Sequence, residues 1–194
     1  MTDEFGVTAW GREWIRLAQP TSITRPNPAV PRARSLARND GVGDLVLTAG
    51  SVTASFEGRK ISHVTLTCPL WDARQSAAAA EVVGAAGGDL PDALHAELLE
   101  RGVPVAPSAD DVAPTCDCAQ RTRPCVHILA TYFEVARRLD ENPRLALALR
   151  GFDPGYGSTA VRIPLADIDP ATFYSQGSTV RAGHSDVHRA ALDS

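Results

Sequence analysis

The stretch TCDCAQRTRPCVHILATYFEVARRLD, residues 115–140, decides how this chain of 194 residues folds. It begins with a Cys-x-Cys pair, continues through a gap of six residues and closes with a Cys-x-His pair. Three thiolates and one imidazole form the closed tetrahedral ligand set that is typical of structural zinc sites. We therefore predict one Zn2+ ion bound by four residues: Cys116, Cys118, Cys125 and His127.

The second half of this stretch, Arg123 to Asp140, predicts the clearest helix of the chain. Pro124 suits the first helical position, and Asn142-Pro143 ends the pattern. Apolar side chains recur at helical spacing and predict one buried stripe. The residues of this stripe are Ile128, Leu129, Tyr132, Val135, Ala136 and Leu139.

The ligand geometry follows from these local structures. Cys116 and Cys118 lie two apart on an extended segment, so their side chains point the same way. Cys125 and His127 would lie in the first turn of the helix, where backbone amides favour a thiolate. The intervening loop, residues 119–124, has few apolar side chains to fold around. We therefore expect its folding to be coupled to metal binding.

Strand patterns precede the metal segment. Asp44 to Gly58 alternates apolar and polar residues on both sides of an Ala49-Gly50 turn, and Lys60 to Thr67 continues the alternation. These runs predict a three-stranded antiparallel meander. Helical periodicity predicts four further helices, at Thr8 to Gln19, Trp71 to Val83, Asp89 to Arg101 and Pro143 to Arg150.

Together these elements predict an α+β fold, with an antiparallel hairpin or meander, flanking helices and a small zinc-stapled ββα element. Residues 1–43 are predicted to hold an N-terminal helix and a proline-rich linker, which is extended from Pro20 to Pro31. Residues 44–151 are predicted to hold the hairpin, the helices and the zinc segment at 114–140. Residues 152–194 are predicted to be a C-terminal extension, largely flexible from about residue 175.

Composition narrows the class of protein. The apolar fraction of 44% is ordinary for a globular chain, and no run approaches the roughly 20 apolar residues that cross a bilayer. The first ten residues are acidic, whereas a secretory signal begins basic and then turns apolar. Four cysteines are too few for a disulfide scaffold of this size. These features favour a cytoplasmic protein.

Charge is unevenly distributed along a chain whose net charge is −4. Residues 72–117 carry nine acidic side chains against two arginines, whereas residues 21–39 carry four arginines and no acid. Such asymmetry permits a local basic face that could contact nucleic acid. The candidate nucleic-acid contacts are Arg34, Arg38, Arg121, Arg123, Arg137 and Arg138.

Two other functional classes remain open at this stage. One is a protein-interaction subunit in which zinc stiffens the hairpin and helix that dock on a larger partner. The other is an enzyme, which the sequence supports least, because His63 and Cys68 have no acid placed to orient them. No catalytic residue is therefore predicted.

A Cys-x-Cys pair, a short gap and a Cys-x-His pair at a helix start resemble the SWIM zinc finger. Flanking features are similar to bacterial SWIM proteins: an Arg-x-x-Ala-Arg then Gly element at Arg34 to Gly41, a hairpin ending at Gly58-Arg59, and the Leu149-Arg150-Gly151 triplet. The resemblance extends over about Trp10 to Gly151. The motif match is specific in the zinc-finger segment, and the flanking matches are less specific.

This resemblance implies zinc binding and interaction with DNA or protein, often beside Swi/Snf-type helicase ATPases. We therefore expect a non-enzymatic accessory subunit with a protein partner, with direct DNA or RNA binding as the alternative. This chain departs from the family pattern in two places, and the loss of a lysine in the second weakens the case for direct DNA contact. Many relatives place Pro-Asp and an aromatic residue after the second cysteine, and a lysine between the last two ligands. This chain has Ala119-Gln120 and Val126 there.

Overall fold

The computed structural model describes residues 4–19, 27–86, 90–120 and 123–153. Six α-helices lie within these ranges: α1 (Ala9–Ala18), α2 (Val30–Arg38), α3 (Ala73–Ala85), α4 (Asp92–Glu100), α5 (Val126–Glu141) and α6 (Arg144–Leu149). Four strands lie there as well: β1 (Gly43–Thr48), β2 (Ser51–Phe56), β3 (Ser62–Thr67) and β4 (Ala113–Cys116). The predicted α+β class is confirmed.

The four strands form one antiparallel sheet in the order β1-β2-β3-β4. The turn between β1 and β2 places Gly50 at φ +73, a left-handed conformation that a residue without Cβ adopts at no steric cost. The predicted three-stranded meander is therefore present, and β4 extends it by a fourth strand. Cys116 pairs with Val64 of β3, so the first metal-ligand candidate lies on an edge strand of the sheet.

One face of the sheet is buried and the other faces solvent. Val52 and Phe56 of β2, like Leu66 of β3, are at most 2% exposed. The opposite face is exposed at Thr53 and His63. This period of two is the reason that alternating sequence predicts a half-buried strand.

Helix α5 is the centre of the helical layer. Its predicted apolar stripe is confirmed, since Ile128, Leu129 and Leu139 are completely buried. Both α1 and α2 pack against it. Trp10 and Trp14 of α1 are at most 1% exposed, so these two tryptophans are core residues, as their helical spacing predicts.

A carboxylate fixes the junction between α1 and α5. Asp140 accepts hydrogen bonds from the amides of Gly6, Val7 and Thr8, at 2.7, 3.0 and 2.8 Å, and from the Thr8 hydroxyl. The helices approach so closely at Gly11 that a Cβ there would lie 2.7 Å from the Ala136 carbonyl oxygen. The small residue is therefore required by packing and not by backbone conformation.

Two local predictions are wrong. Helix α5 begins at Val126 with Cys125 as its N-cap, so Pro124 precedes the helix, in a cis peptide with Arg123, and is not its first residue. The proline-rich region was predicted to be extended as far as Pro31, but Pro31 lies inside α2. Ala33 and Ala37 are buried in α2, so tertiary packing on α5 stabilises a helix with little sequence signal of its own.

The predicted linker at residues 20–26 lies outside the described residues, and so does the predicted C-terminal extension from residue 154 onward. Within the described ranges, none of the helices combines the length and the apolar character that a membrane-spanning helix requires.

Candidate metal centre

The structure brings the four predicted ligands together. One potential ligand atom from each of the four residues lies within 4.8 Å of the other three, and the cluster could hold a metal ion. Cys116 ends β4, Cys118 follows it, Cys125 caps α5 and His127 lies in the first turn of that helix. Two cysteines thus come from the sheet edge, while the third cysteine and the histidine come from the helix start.

The sheet fixes the first pair of cysteines. Asp117, which lies between them, donates its amide to the carbonyl of His63 at 3.3 Å and accepts the His63 amide on Oδ1 at 2.8 Å. These bonds continue the β3–β4 pairing by one residue beyond Cys116. These bonds hold Cys116 and Asp117 against β3, and Cys118 lies in the bend that follows.

Arg123 organises the loop between the two ligand pairs. Its guanidinium donates to the carbonyl oxygens of Gln120 at 2.7 Å and Cys116 at 3.3 Å, and lies 3.8 Å from the Cys118 sulfur. Gln120 in turn accepts the Val126 amide on its side-chain oxygen. Arg123 was predicted as a nucleic-acid contact, and in the structure its guanidinium is engaged within the metal loop.

His127 is oriented by a ring contact. Its imidazole stacks on Phe56, with centroids 4.6 Å apart and an interplanar angle of 27°. The Nδ1 atom lies 3.8 Å from the Cys116 sulfur. In a tetrahedral site with Zn–S of about 2.3 Å and Zn–N of about 2.0 Å, a sulfur and a nitrogen ligand are separated by about 3.5 Å. The observed separation is close to this value.

The electrostatics of the cluster favour a bound cation. Burial, together with the neighbouring thiols, raises the pKa of the Cys116 thiol to about 12. Burial also acts to raise the pKa of Cys118, but hydrogen bonds from the Gln120 amide, the other two thiols and Arg123 lower it overall. Three adjacent sulfurs can all become thiolates only if a cation compensates their charge.

The protonation state of His127 also suits a ligand. Burial lowers its pKa, the nearby charge of Arg32 lowers it further, and Asp117 opposes this change. The neutral imidazole, which is the form that binds metals, is thereby favoured.

Four of the remaining predicted arginines lie on α2 and α5. Arg34 lies over the Phe133 ring at 5.2 Å, and Arg38 donates to Glu4 at 2.6 Å. Arg137 pairs with both carboxylate oxygens of Glu134, which is 2% exposed, and Arg138 also donates to that carboxylate. Each of these four candidate arginines therefore already contacts another side chain of the protein. Arg121 lies outside the described residues.

Two roles at the metal centre were not predicted from the sequence. The stacking of Phe56 on His127 depends on β2 lying over the start of α5, and no local pattern signals it. The role of Arg123 had a weak signal in the sequence. A short loop between metal ligands leaves backbone carbonyl groups unpaired, and the long side chain of an arginine in that loop can donate to them.

Comparison with known proteins gives one distant relative. The chain is 25% identical over 155 residues to the uncharacterized protein Rv2102 of Mycobacterium tuberculosis, a match covering 74% of this chain. The match covers 55% of the relative, so the chain spans about half the length of that curated protein. No family model matches the chain, and no solved structure matches it significantly.

Proposed function

We propose that this chain is a structural zinc protein whose metal joins the sheet edge to α5. The observation that carries the proposal is the convergence of Cys116, Cys118, Cys125 and His127 within 4.8 Å. Four protein ligands complete a tetrahedral shell and leave no position for a water molecule to be activated. The zinc therefore stabilises the fold, and the chain is non-enzymatic.

The donor set supports zinc over other metals. Three thiolates and one imidazole suit a borderline-soft ion with no geometric preference of its own. Calcium and magnesium prefer oxygen ligands, and the cluster contains none. Native mass spectrometry of the purified chain tests this assignment, with one zinc per chain expected and a metal-free or iron-loaded protein contradicting it.

The proposed role of the stiffened surface is to bind a protein partner, as a SWIM module does in the proteins that this chain resembles. By the same resemblance, the partner is a larger ATPase of the Swi/Snf helicase type. Arginine pairing supports a protein partner over DNA, because the carboxylates of Glu134 and Glu141 together balance the charges of Arg137 and Arg138. Exposed acids on α3 and α4, including Glu81 and Glu100, would repel phosphate.

Direct DNA or RNA binding is the second candidate, and one observation favours it. A groove of about 400 Å3 is lined by Arg59 and Lys60 together with Cys118 and His127 of the metal centre. Both basic side chains are exposed and could reach a phosphate backbone.

The two candidates give different outcomes in two experiments. Affinity capture from native cells with wild type and with Cys125→Ala should enrich a Swi/Snf-type ATPase only with wild type. The zinc-loaded chain should not bind duplex or single-stranded DNA in a salt series. Tight DNA binding that weakens steeply with salt, and weakens further in Arg59→Ala, would instead establish the second candidate.

A further inference from the structure

A second candidate site lies in a cavity of about 660 Å3 to which none of the four metal-ligand candidates contributes. Its walls are partly apolar, with Leu17 and Leu70 among the lining residues. Its polar lining comes from Glu13, Arg16, Gln75, Ser108, Asp111 and Arg150. A cavity that combines apolar walls with polar groups at fixed positions can bind a small molecule.

Arg150 is the unusual residue of this cavity, because it carries a charge and is only 4% exposed. Its Nη1 atom donates to the Pro69 carbonyl oxygen at 2.7 Å, and its guanidinium lies 5.9 Å from the Trp71 ring centroid. Its buried Nε atom has no hydrogen-bond partner. Within the part of the chain that the structure describes, no carboxylate lies within ion-pairing distance of it.

Both carboxylates of the cavity are held by other groups. Glu13 accepts the Ala106 amide at 3.2 Å and lies 3.4 Å from Nε2 of His95. Asp111 accepts the Ser108 hydroxyl at 2.7 Å. Asp111 attracts the guanidinium of Arg150 through space but does not pair with it directly, and a buried charge without a direct partner is unfavourable unless an anion pairs with it.

We propose that this cavity binds a monocarboxylate with a small apolar body. Its carboxylate pairs with the guanidinium of Arg150, and its body lies against Leu17 and Leu70. The planar fork of arginine matches a carboxylate through two parallel hydrogen bonds. Arg16, whose side chain is 62% exposed, also lines the cavity, and its charge is partly balanced by Glu13 at 4.0 Å.

A carboxylate fits better than a phosphate for an electrostatic reason. Glu13 and Asp111 line the same cavity, and they would repel a dianion more strongly than a monoanion. Two kinds of ligand carry such a carboxylate: a free small acid, and a peptide through its C-terminus. Both would present one carboxylate beside apolar groups.

The test uses the full zinc-loaded chain and isothermal titration calorimetry. The probes are 4-phenylbutyrate, its uncharged amide, inorganic phosphate, and a tetrapeptide ending in leucine with a free or an amidated C-terminus. We expect the acids to bind at least about 10-fold more tightly than their amides, since a charge-assisted pair contributes more than a neutral one. Tighter binding of 4-phenylbutyrate identifies the small acid as the source, and tighter binding of the peptide acid identifies the peptide.

Substitution of the arginines that line the cavity tests whether the acid binds there. Arg150→Lys keeps the charge but loses the fork, so it should weaken binding of the acid by about 10-fold. Arg16→Glu should weaken binding as well. Arg12→Glu, on the same helix but outside the cavity lining, makes the same charge change and should have no effect.

Three results would overturn the proposal: equal binding of acid and amide, phosphate binding as tight as the acid, or equal effects of Arg16→Glu and Arg12→Glu. If Arg150→Lys does not fold, the Arg16 and Arg12 pair still decides the outcome. Zinc content is measured on every variant, so failure of this site is distinguishable from loss of the metal.

Discussion

The Nδ1 atom of His127 lies 3.8 Å from the Sγ atom of Cys116, and this contact joins the first turn of α5 to the last residue of β4. A zinc ion shared by the two side chains would cross-link the sheet to the central helix. Much of the core lies elsewhere, around Trp10, Trp14 and Phe133. The metal is therefore expected to fix one edge of a fold whose helical core is packed independently.

Cysteine substitution tests the ligand set. Cys125→Ala should lower zinc affinity by more than about 100-fold, because losing even a group that only orients a ligand costs about 10–100-fold. Its melting temperature should fall as well. Zinc content is measured by elemental mass spectrometry. The matched control is Cys68→Ala, a buried cysteine outside the cluster, which should keep one zinc. Full zinc content in Cys125→Ala would reject the four-ligand site.

Arg123 is expected to support the metal loop through the carbonyls of Cys116 and Gln120. Arg123→Ala should lower zinc affinity by about 10–100-fold, because the loop loses the bonds that hold it in the ligating conformation. Competition with a chromogenic chelator measures the affinity. Arg59→Ala removes the same charge from the exposed turn beside the centre and should leave affinity unchanged. Equal losses in the two variants would show a charge effect only.

Removal of zinc should open the structure locally. A strong chelator is expected to raise amide hydrogen exchange in β4 and at Cys118 and Cys125, because that segment has few buried apolar side chains. Amides of α1 and the middle of α5 should stay protected by the core around Trp14 and Phe133. Exchange mass spectrometry with and without chelator measures both regions. Loss of protection throughout the chain would mean that the metal holds the whole fold.

Substitution of two glycines by alanine tests the close packing of α1 on α5. Gly11→Ala places a Cβ 2.7 Å from the Ala136 carbonyl oxygen and should destabilise the chain by about 1–3 kcal/mol. Gly84→Ala in α3 meets no atom within 4 Å and should stabilise it by about 0.5–1 kcal/mol. Urea denaturation measures both. Equal changes would indicate that helix propensity, and not the contact with α5, decides the effect.

The pH dependence of stability is tested at Glu13. Burial acts to raise its pKa, but His95, the Ala106 amide and Arg16 lower it below the ordinary 4.5. A lowered folded-state pKa contributes stability that is present above the unfolded pKa and is lost as pH falls through the folded value. Wild type should therefore exceed Glu13→Gln in stability near neutral pH, and this excess should shrink on acidification.

Urea denaturation of wild type and Glu13→Gln between about pH 6 and pH 3.5 measures this excess. Glu57→Gln, on an exposed turn, controls for removal of a carboxylate. Zinc release at acid pH affects all three proteins alike, so only the difference between them is interpreted. An excess that grows on acidification would contradict the assigned direction.

Local sequence was sufficient for several features. Cys116 to His127 spans a short segment, so spacing and ligand chemistry predict the cluster without knowledge of the fold. Alternation along Val52, Ala54 and Phe56 likewise predicts the buried face of β2, because one face of a sheet repeats every two residues.

Features that depend on distant segments were not predictable in this way. Helix α2 has a weak pattern and forms where Ala33 and Ala37 pack on α5. The bonds of Arg123 to the metal loop exist only once β4 and α5 are in place. The burial of Arg150 could not be predicted from local sequence, because it results from contacts with Pro69 and Trp71, which are distant in the chain.

Periodicity and ligand chemistry act over short distances, so the amino-acid sequence alone predicts which side chains could bind a metal and most of the elements around them. The stacking of Phe56 on His127 and the burial of Arg150 beside a cavity are set by the tertiary fold. Such contacts join residues far apart in the chain, and their free energy comes from packing and desolvation, which local sequence does not encode.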